Sequence, residues 1–386
     1  MSKTVFVHDN FVQAGGGERV AEELARCLPD ADIVSTVVVE ERLSPYVKQR
    51  GVTTTWLQQF PAMKRFYRHY FLFYPFAARS LDLSKYDKIV SSCYGFAKMI
   101  RKPQGAVHIC YCHTPTRWIW RAEDYFGREN FGRTTRSLLN ALISRMKKLD
   151  LDAADQVDFF IANSQVVKER IRKYYGRDSI VIYPPIQVNR FETSDEVEDY
   201  YLVLSRLVAY KRIELAVQAC ERLGRKLKIV GQGPDRKRLE QLAGKNTEFL
   251  GRLSDAETTR LLSRCRALIF PGEEDFGLTP LEASASGRPV VAYGGGGALD
   301  TVIPGLNGVH FSEPTVDSLA GAIERMEEGS WDSAAIRQHA EKFSVESFAR
   351  QFNAAVQNFS GRKAGGAEHV PGHAAGALSL ESAVRS

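Results

Sequence analysis

Short apolar runs separated by polar and glycine-rich segments recur along the chain. In the first half they fall at Thr4–His8, Asp32–Val37, Val52–Trp56, Asp87–Ser91, Ala106–Cys112 and Val157–Ala162. Runs of this length, bounded by turn residues, predict buried strands. Helical stretches lie between them, the first an amphipathic segment at Glu18–Cys27. The order strand, Gly15-Gly-Gly17 turn, helix opens a doubly wound α/β domain with a parallel, Rossmann-type sheet.

The alternation stops at Ile182-Tyr-Pro-Pro-Ile186 and an acidic stretch that ends at Glu198, which reads as a linker. It then resumes at Tyr200–Leu204, Lys226–Val230, Glu248–Leu250, Ala267–Phe270, Pro289–Ala292 and Gly308–Phe311. The pattern predicts two Rossmann-like domains facing across a cleft, residues 1–184 and 199–342, joined by 185–198. A last helix opens at Phe343 with Ser344 and Ser347 as candidate caps and runs to about Asn358. Residues 343–361 are expected to pack back on the first domain, and the Ala-, Gly- and Ser-rich 362–386 to be a disordered tail.

Composition narrows the class. The chain has 386 residues, 44% hydrophobic and 25% charged, ordinary values for a globular protein of one or two domains. Six cysteines are scattered, four of them in apolar strand-like or helical contexts, and they read as reduced core residues of a cytosolic protein. Cys110 and Cys112 alternate along one strand and no second ligand pair follows, so no metal is expected. The chain goes from Lys3 straight into a strand, and no apolar run has the length of a membrane span. The net charge of +6 is mild, and nothing resembles a nucleic-acid motif. Two segments concentrate basic residues: Ala62–Phe76, interleaved with aromatics, and a helix at Arg133–Lys148. Such segments suit either an anionic membrane surface or ordinary packing on a sheet.

The chemistry is densest at Pro271–Glu282. Glu274 and Glu282 have seven residues between them, and Gly277 and Pro280 argue against one continuous helix. Glu274 is therefore expected on a loop and Glu282 in the first turn of a helix at Leu281–Ser286. The amides of Phe276, Gly277 and Leu278 would face the same cleft. Amides can hold an anion while carboxylates grip hydroxyls, the two features of a nucleotide sugar. An acidic loop that merely caps a helix is the alternative. Other strand ends carry compatible groups: His113, Ser205-Arg206 and Lys211, the Gly231 and Gly233 turn, and Gly294–Gly297. Arg206 offers a planar fork and Lys211 a point charge to a diphosphate.

Glu274-Asp-Phe-Gly-Leu-Thr-Pro-Leu-Glu282 resembles the E-x7-E signature of the retaining GT-B glycosyltransferases of family four. The likeness extends to about residue 360 and takes in all the strand-end groups above. His108–Arg117 and Ile161–Ser164 are similar to a bacterial subgroup of mannosyltransferases in surface-polysaccharide assembly. The resemblance implies that Glu274 binds donor-sugar hydroxyls, with Asp275 and the Phe276–Leu278 amides nearby, and that Glu282 binds the ribose. Arg206 and Lys211 would neutralise the diphosphate, with Ser205, Gly231 and Gly233 beside it. Gly16 and Gly17 would touch the donor from the first domain, and His113 the sugar and acceptor. Asp300 departs from the family pattern, which carries Glu there. The implied reaction transfers mannose from GDP-mannose to a glycan or polyprenyl-diphosphate-linked oligosaccharide, on the cytoplasmic face of the membrane and without cofactor or metal. A UDP-sugar enzyme with a soluble acceptor and a non-catalytic nucleotide-sugar sensor are the alternatives.

Overall fold

The computed structural model describes residues 3–13, 15–122 and 132–364; the expected tail lies outside them from residue 365 on. Two parallel sheets form the framework. The first has the order β3-β2-β1-β4-β5-β6-β7 and the second β10-β9-β8-β11-β12-β13. The strands of the first are β1 Thr4–His8, β2 Asp32–Ser35, β3 Thr53–Thr54, β4 Lys88–Cys93, β5 Val107–Cys112, β6 Phe159–Ala162 and β7 Ser179–Val181. Those of the second are β8 Tyr201–Leu204, β9 Leu227–Val230, β10 Thr247–Gly251, β11 Leu268–Phe270, β12 Val290–Tyr293 and β13 Gly308–Phe311.

Strand order places the chemistry. In open parallel sheets a crevice forms where the winding direction reverses. That point lies between β1 and β4 in the first sheet and between β8 and β11 in the second. The loops after β1 and β8 carry Gly15–Gly17 and Ser205–Lys211, and the loop after β11 carries Glu274.

Each lobe has its own core on both sheet faces. In the first lobe, Val20, Ala21, Leu24 and Ala25 of the helix Gly16–Arg26 pack with Phe6, Ile109 and Tyr111. The same cluster holds Phe348, Phe352, Val356 and Phe359 from the last helix, Val345–Ala364. Burying a phenylalanine is worth about 2–3 kcal/mol, so this helix is bound firmly to the first lobe although the second lobe precedes it in sequence. Ser344 Oγ caps it, accepting from Ser347 N at 3.2 Å. Residues 185–198 cross between lobes, and Ile186, Val188 and Phe191 among them are buried in the second-lobe core.

Several expected boundaries shift. The run Val52–Trp56 yields only two strand residues, because Thr55 Oγ1 accepts from Leu57 N at 3.3 Å and starts a 3-10 turn. β7 has no counterpart among the expected strands; it is a three-residue edge. The glycine-led helix begins at Gly16 rather than Glu18, and the last helix runs past Asn358.

The two basic segments differ in fate. The helix Arg133–Asp155 buries Ile143, Met146, Ala153 and Ala154 in its second half, whereas residues 134–138 are exposed, Leu138 by 69%. Ala62–Phe76 breaks into short turns that bury Met63 and Tyr74 but leave Phe66, Leu72, Phe73 and Phe76 exposed. Among the described residues no helix is long and apolar enough to cross a membrane.

Candidate functional site

After β11 the chain leaves the sheet as an irregular loop and re-enters helix at Leu278–Ala285, with Gly277 at φ +83° as the cap residue. The helix begins three residues earlier than expected, because glycine accepts that cap conformation and Pro280 fits the first turn. Glu282 is consequently in the second turn, not the first. Its buried carboxylate lies 3.4 Å from Arg19 Nη1 of the first lobe, and burial raises its pKa against the pull of Arg19 and Arg190. Glu274 stays on the loop and forms an ion pair with Lys211 Nζ. Lys211 is itself buried, at the end of a 3-10 turn after β8. The expected cation and carboxylate thus meet at the switch point of the second sheet.

The neighbouring residues have more specific duties than their types indicate. Arg206 is exposed and donates to the Tyr210 hydroxyl at 3.0 Å; Ser205 Oγ donates to Arg206 O at 3.2 Å. Gly231 has φ +140°, and a Cβ there would fall 1.8 Å from Ser205 O. A Cβ on Gly233 would fall 2.1 Å from Leu207 O. These glycines are required because the two turns pack backbone on backbone. The Gly294–Gly297 run works likewise: Gly297 N donates to Glu274 O at 2.9 Å, and a Cβ on Gly297 would lie 2.2 Å from Phe276 Cα. The Phe276 ring is buried and stacks on Tyr183 at 5.8 Å. Both oxygens of Asp275 are engaged by first-lobe arginines, Arg117 and Arg170. Asp300 Oδ2 accepts from Gln165 N at 2.9 Å, a further contact across the lobes.

The first lobe contributes the opposite wall. A Cβ on Gly16 would lie 3.2 Å from Leu278 Cδ1, so this turn abuts the second-lobe helix; Gly17 faces the Tyr94 ring. Glu18 follows, buried, accepting from Gly15 N at 3.1 Å. Burial pushes its carboxyl up to about 7, opposed by the Gly15 amide, Gln13 and Arg206. Asp9, after β1, accepts from the amides of Tyr94, Gly95, Phe96 and Ala97 and so fixes the loop after β4. His113, at the end of β5, is also buried: Ser92 Oγ joins its Nε2, at 2.8 Å, to His8 Nδ1, at 3.0 Å. Burial lowers His113 to about 4 and His8 to about 3, so both rings are neutral at pH 7. His113 can then exchange hydrogen bonds with a hydroxyl but adds no charge. Between the lobes lies a cavity of about 190 Å³, lined among others by Arg19, Glu23, Gln187, Arg190, Asp255 and Glu282.

Glu18, Asp9, His8, Ser92 and Arg170 were not singled out in the sequence. Their partners are distant along the chain, 84 residues for His8 and Ser92 and 105 for Arg170 and Asp275. The glycine-led turn carried the one local signal, for Glu18.

The histidine pair generates a pH dependence. A folded-state pKa depressed below the unfolded value near 6.5 gives stability that is complete above 6.5 and is withdrawn as pH falls toward 4. Each proton is worth about 1.4 kcal/mol per pH unit in that window. Between pH 6.5 and 5, urea unfolding of His113→Asn is expected to lose roughly 2 kcal/mol less than the wild type. Equal losses would show that His113 takes up its proton over the same pH range in the native and unfolded states.

Comparison with known proteins completes the description. Residues 14–190 match the family described as Glycosyltransferase Family 4, and residues 186–343 match Glycosyl transferases group 1. Alpha-1,3/1,6-mannosyltransferase ALG2 of Homo sapiens is 26% identical over 307 residues, covering 68% of this chain and 70% of that protein. Among solved structures, sucrose-phosphate synthase from Thermosynechococcus elongatus superposes with a TM-score of 0.72 at 17% identity, over 93% of this chain and 100% of the other. Anabaena HepE, solved in complex with UDP and glucose, gives 0.67 at 18% identity over 92% and 100%. The matches to both halves, two parallel Rossmann-like sheets and a cleft between them assign the chain to the family-four glycosyltransferases with the GT-B fold.

Proposed function

We propose that this glycosyltransferase retains anomeric configuration and moves mannose from GDP-mannose to a polyprenyl-diphosphate-linked oligosaccharide or related glycan in bacterial surface-polysaccharide synthesis. The observation that carries the site reading is the pairing of Lys211 with Glu274 at the switch point, with Arg206 on the same strand-end turn. Breaking the bond between the sugar's anomeric carbon and the diphosphate leaves an oxocarbenium-like centre and negative charge on the leaving group. Lys211, Arg206 and the amides at the start of the Leu278–Ala285 helix would meet that charge, the form of electrostatic catalysis that needs no metal. The acceptor hydroxyl bonds to the anomeric carbon and its proton passes to the diphosphate. Glu274 would hold sugar hydroxyls, and Glu282 the ribose from its buried site. Closure of the lobes would keep water from the donor.

Mannose is supported by the relationship to human ALG2, whose name gives it as a mannosyltransferase. A UDP-sugar reading is favoured by the UDP and glucose in the HepE complex. For the acceptor, the exposed Phe66, Phe73 and Phe76 beside Lys64, Arg65 and Arg79 support a lipid-linked substrate reached from an anionic inner-membrane surface.

Three experiments test these points. In thermal unfolding at equal concentration, GDP is expected to raise the melting temperature more than UDP does; the reverse order moves the donor to a uridine nucleotide. Lys211→Ala is expected to slow transfer by on the order of 10²–10³-fold, and the wild-type rate to survive EDTA. Replacing Phe73 and Phe76 together by Ser is expected to weaken flotation with phosphatidylglycerol vesicles at least tenfold, since about 2 kcal/mol of apolar burial is lost per ring. Unchanged flotation would place the lipid contact elsewhere.

A further inference from the structure

The helix Gln165–Tyr175 belongs to the first lobe, starts behind the Ser164 cap and carries none of the groups assigned to the donor. Its Arg170 is 9% exposed. The guanidinium crosses the cleft and divides its fork between two second-lobe carboxylates: Nη1 meets Asp275 Oδ1, and Nη2 meets Glu273 Oε1 at 3.2 Å. Those carboxylates belong to the residues on either side of Glu274. Arg117 reinforces Asp275 from the other oxygen, Nε to Oδ2 at 2.9 Å, and Arg121 reinforces Glu273 at 3.2 Å.

The side chains alternate in direction. Glu273 and Asp275 turn to the first lobe, and Glu274 between them turns back to Lys211. Holding residues i−1 and i+1 on one side of an irregular loop fixes the rotation that aims residue i to the other. A planar fork presents two N–H groups in fixed directions and so holds both neighbours in one orientation; a lysine ammonium, with rotatable donors, does not fix that orientation. The same helix acts at a second place. Its Gln165 N donates to Asp300, just beyond Gly297, and Gly297 N donates to Glu274 O. One first-lobe helix therefore grips both second-lobe segments that bracket Glu274.

We propose that Arg170 is a positioning residue for Glu274: it aims Glu274 only when the lobes are together, so that transfer requires it and nucleotide binding does not. The inference rests on the reading of Glu274 as the group that grips the donor sugar. It makes the alignment of a second-lobe carboxylate a consequence of closure, and ties productive geometry to the state in which water is excluded.

The test is a double-mutant cycle on the full chain, with wild type, Arg170→Gln, Glu274→Gln and the double variant. GDP affinity is measured by calorimetry, and turnover with GDP-mannose and a membrane lipid extract, or with the UDP-sugar if the thermal test selects it. Arg170→Gln is expected to keep GDP affinity within about threefold and to lose turnover at least thirtyfold. The double variant is expected to be no slower than Glu274→Gln alone, because a residue that acts through another adds nothing once that other is gone. Arg170→Lys, which keeps the charge but not the fork, is expected to fall between, and it carries the same cycle if the glutamine variant does not fold. Wild-type turnover in Arg170→Gln overturns the proposal, as do losses that multiply in the double variant. Glu274→Gln at the wild-type rate removes the reading beneath it, and shows this without any Arg170 variant.

Discussion

Backbone laid against backbone, with no space for a Cβ, is the constraint on which the site depends. The Glu274–Phe276 segment rests on Gly296 and Gly297, where added Cβ atoms would lie 2.2 Å from Glu274 O and from Phe276 Cα. On its other side, a Cβ on Gly272 would lie 2.9 Å from Lys211 Cα. The distance between the loop after β11 and the turn after β8 is therefore set by main chain, which has few alternative arrangements. Side-chain packing would leave rotamers to choose among. Main chain of the second lobe thus fixes where the carboxylate and the ammonium start from and leaves the direction of the Glu274 side chain to be set, so that little reorganisation remains once it is aimed.

The lobes are joined by two adjacent crossings. Ile186 N donates to Phe343 O at 2.9 Å, and Ile186 and Ser344 form a parallel bridge. Outgoing and returning chains thus share one short line. Rotation about that line changes few dihedrals, whereas sliding one lobe past the other would break the bridge. The returning chain then buries Phe348 and Phe352 in the first lobe, so each lobe anchors one side of the crossing. The arginine contacts to Glu273 and Asp275, and Arg19 to Glu282, bear on the same relative orientation through charge. Apolar burial holds each lobe together, and ion pairs, from that of the exposed Arg19 to those of the buried Arg170, hold the lobes to each other. The exposed ones are individually weak and reversible, as a closing cleft requires.

What the sequence revealed followed the range of the interactions. The alternation of apolar runs exposed both sheets, because strand burial is written into consecutive residues. Glu274, Lys211 and the glycines stood out because switch-point chemistry gathers at strand ends. Glu282 was placed one turn too early, since Gly277 starts the helix in a conformation that residue type permits but does not announce. Thr55 ended β3 early for a comparable reason, a side-chain cap competing with the ladder. The His8–Ser92–His113 chain and Arg170 were invisible locally. Arg170 stands among Lys168, Arg172 and Lys173 and reads as one more solvent-facing base; only the second lobe, packed over it, makes it different.

The Lys211–Glu274 pair also orders events on the proposed pathway. Lys211 occupies one oxygen of Glu274, which leaves the carboxylate fewer positions for sugar hydroxyls while the pair is intact. A diphosphate brings more negative charge and more acceptor oxygens than one carboxylate, and so would draw Lys211 to itself. Arg206, exposed and tethered only lightly to Tyr210, would meet the anion on the way in. Release of Glu274 would then coincide with arrival of the diphosphate, and its full hydroxyl-binding capacity would be present only when a complete donor is bound. A free sugar, lacking the phosphate charge, would find Glu274 still partly engaged by Lys211. When the nucleotide diphosphate leaves, the ammonium would return to the carboxylate, so that on the proposed pathway one ion pair would favour the intact donor over the sugar alone and restore the resting site after each turnover.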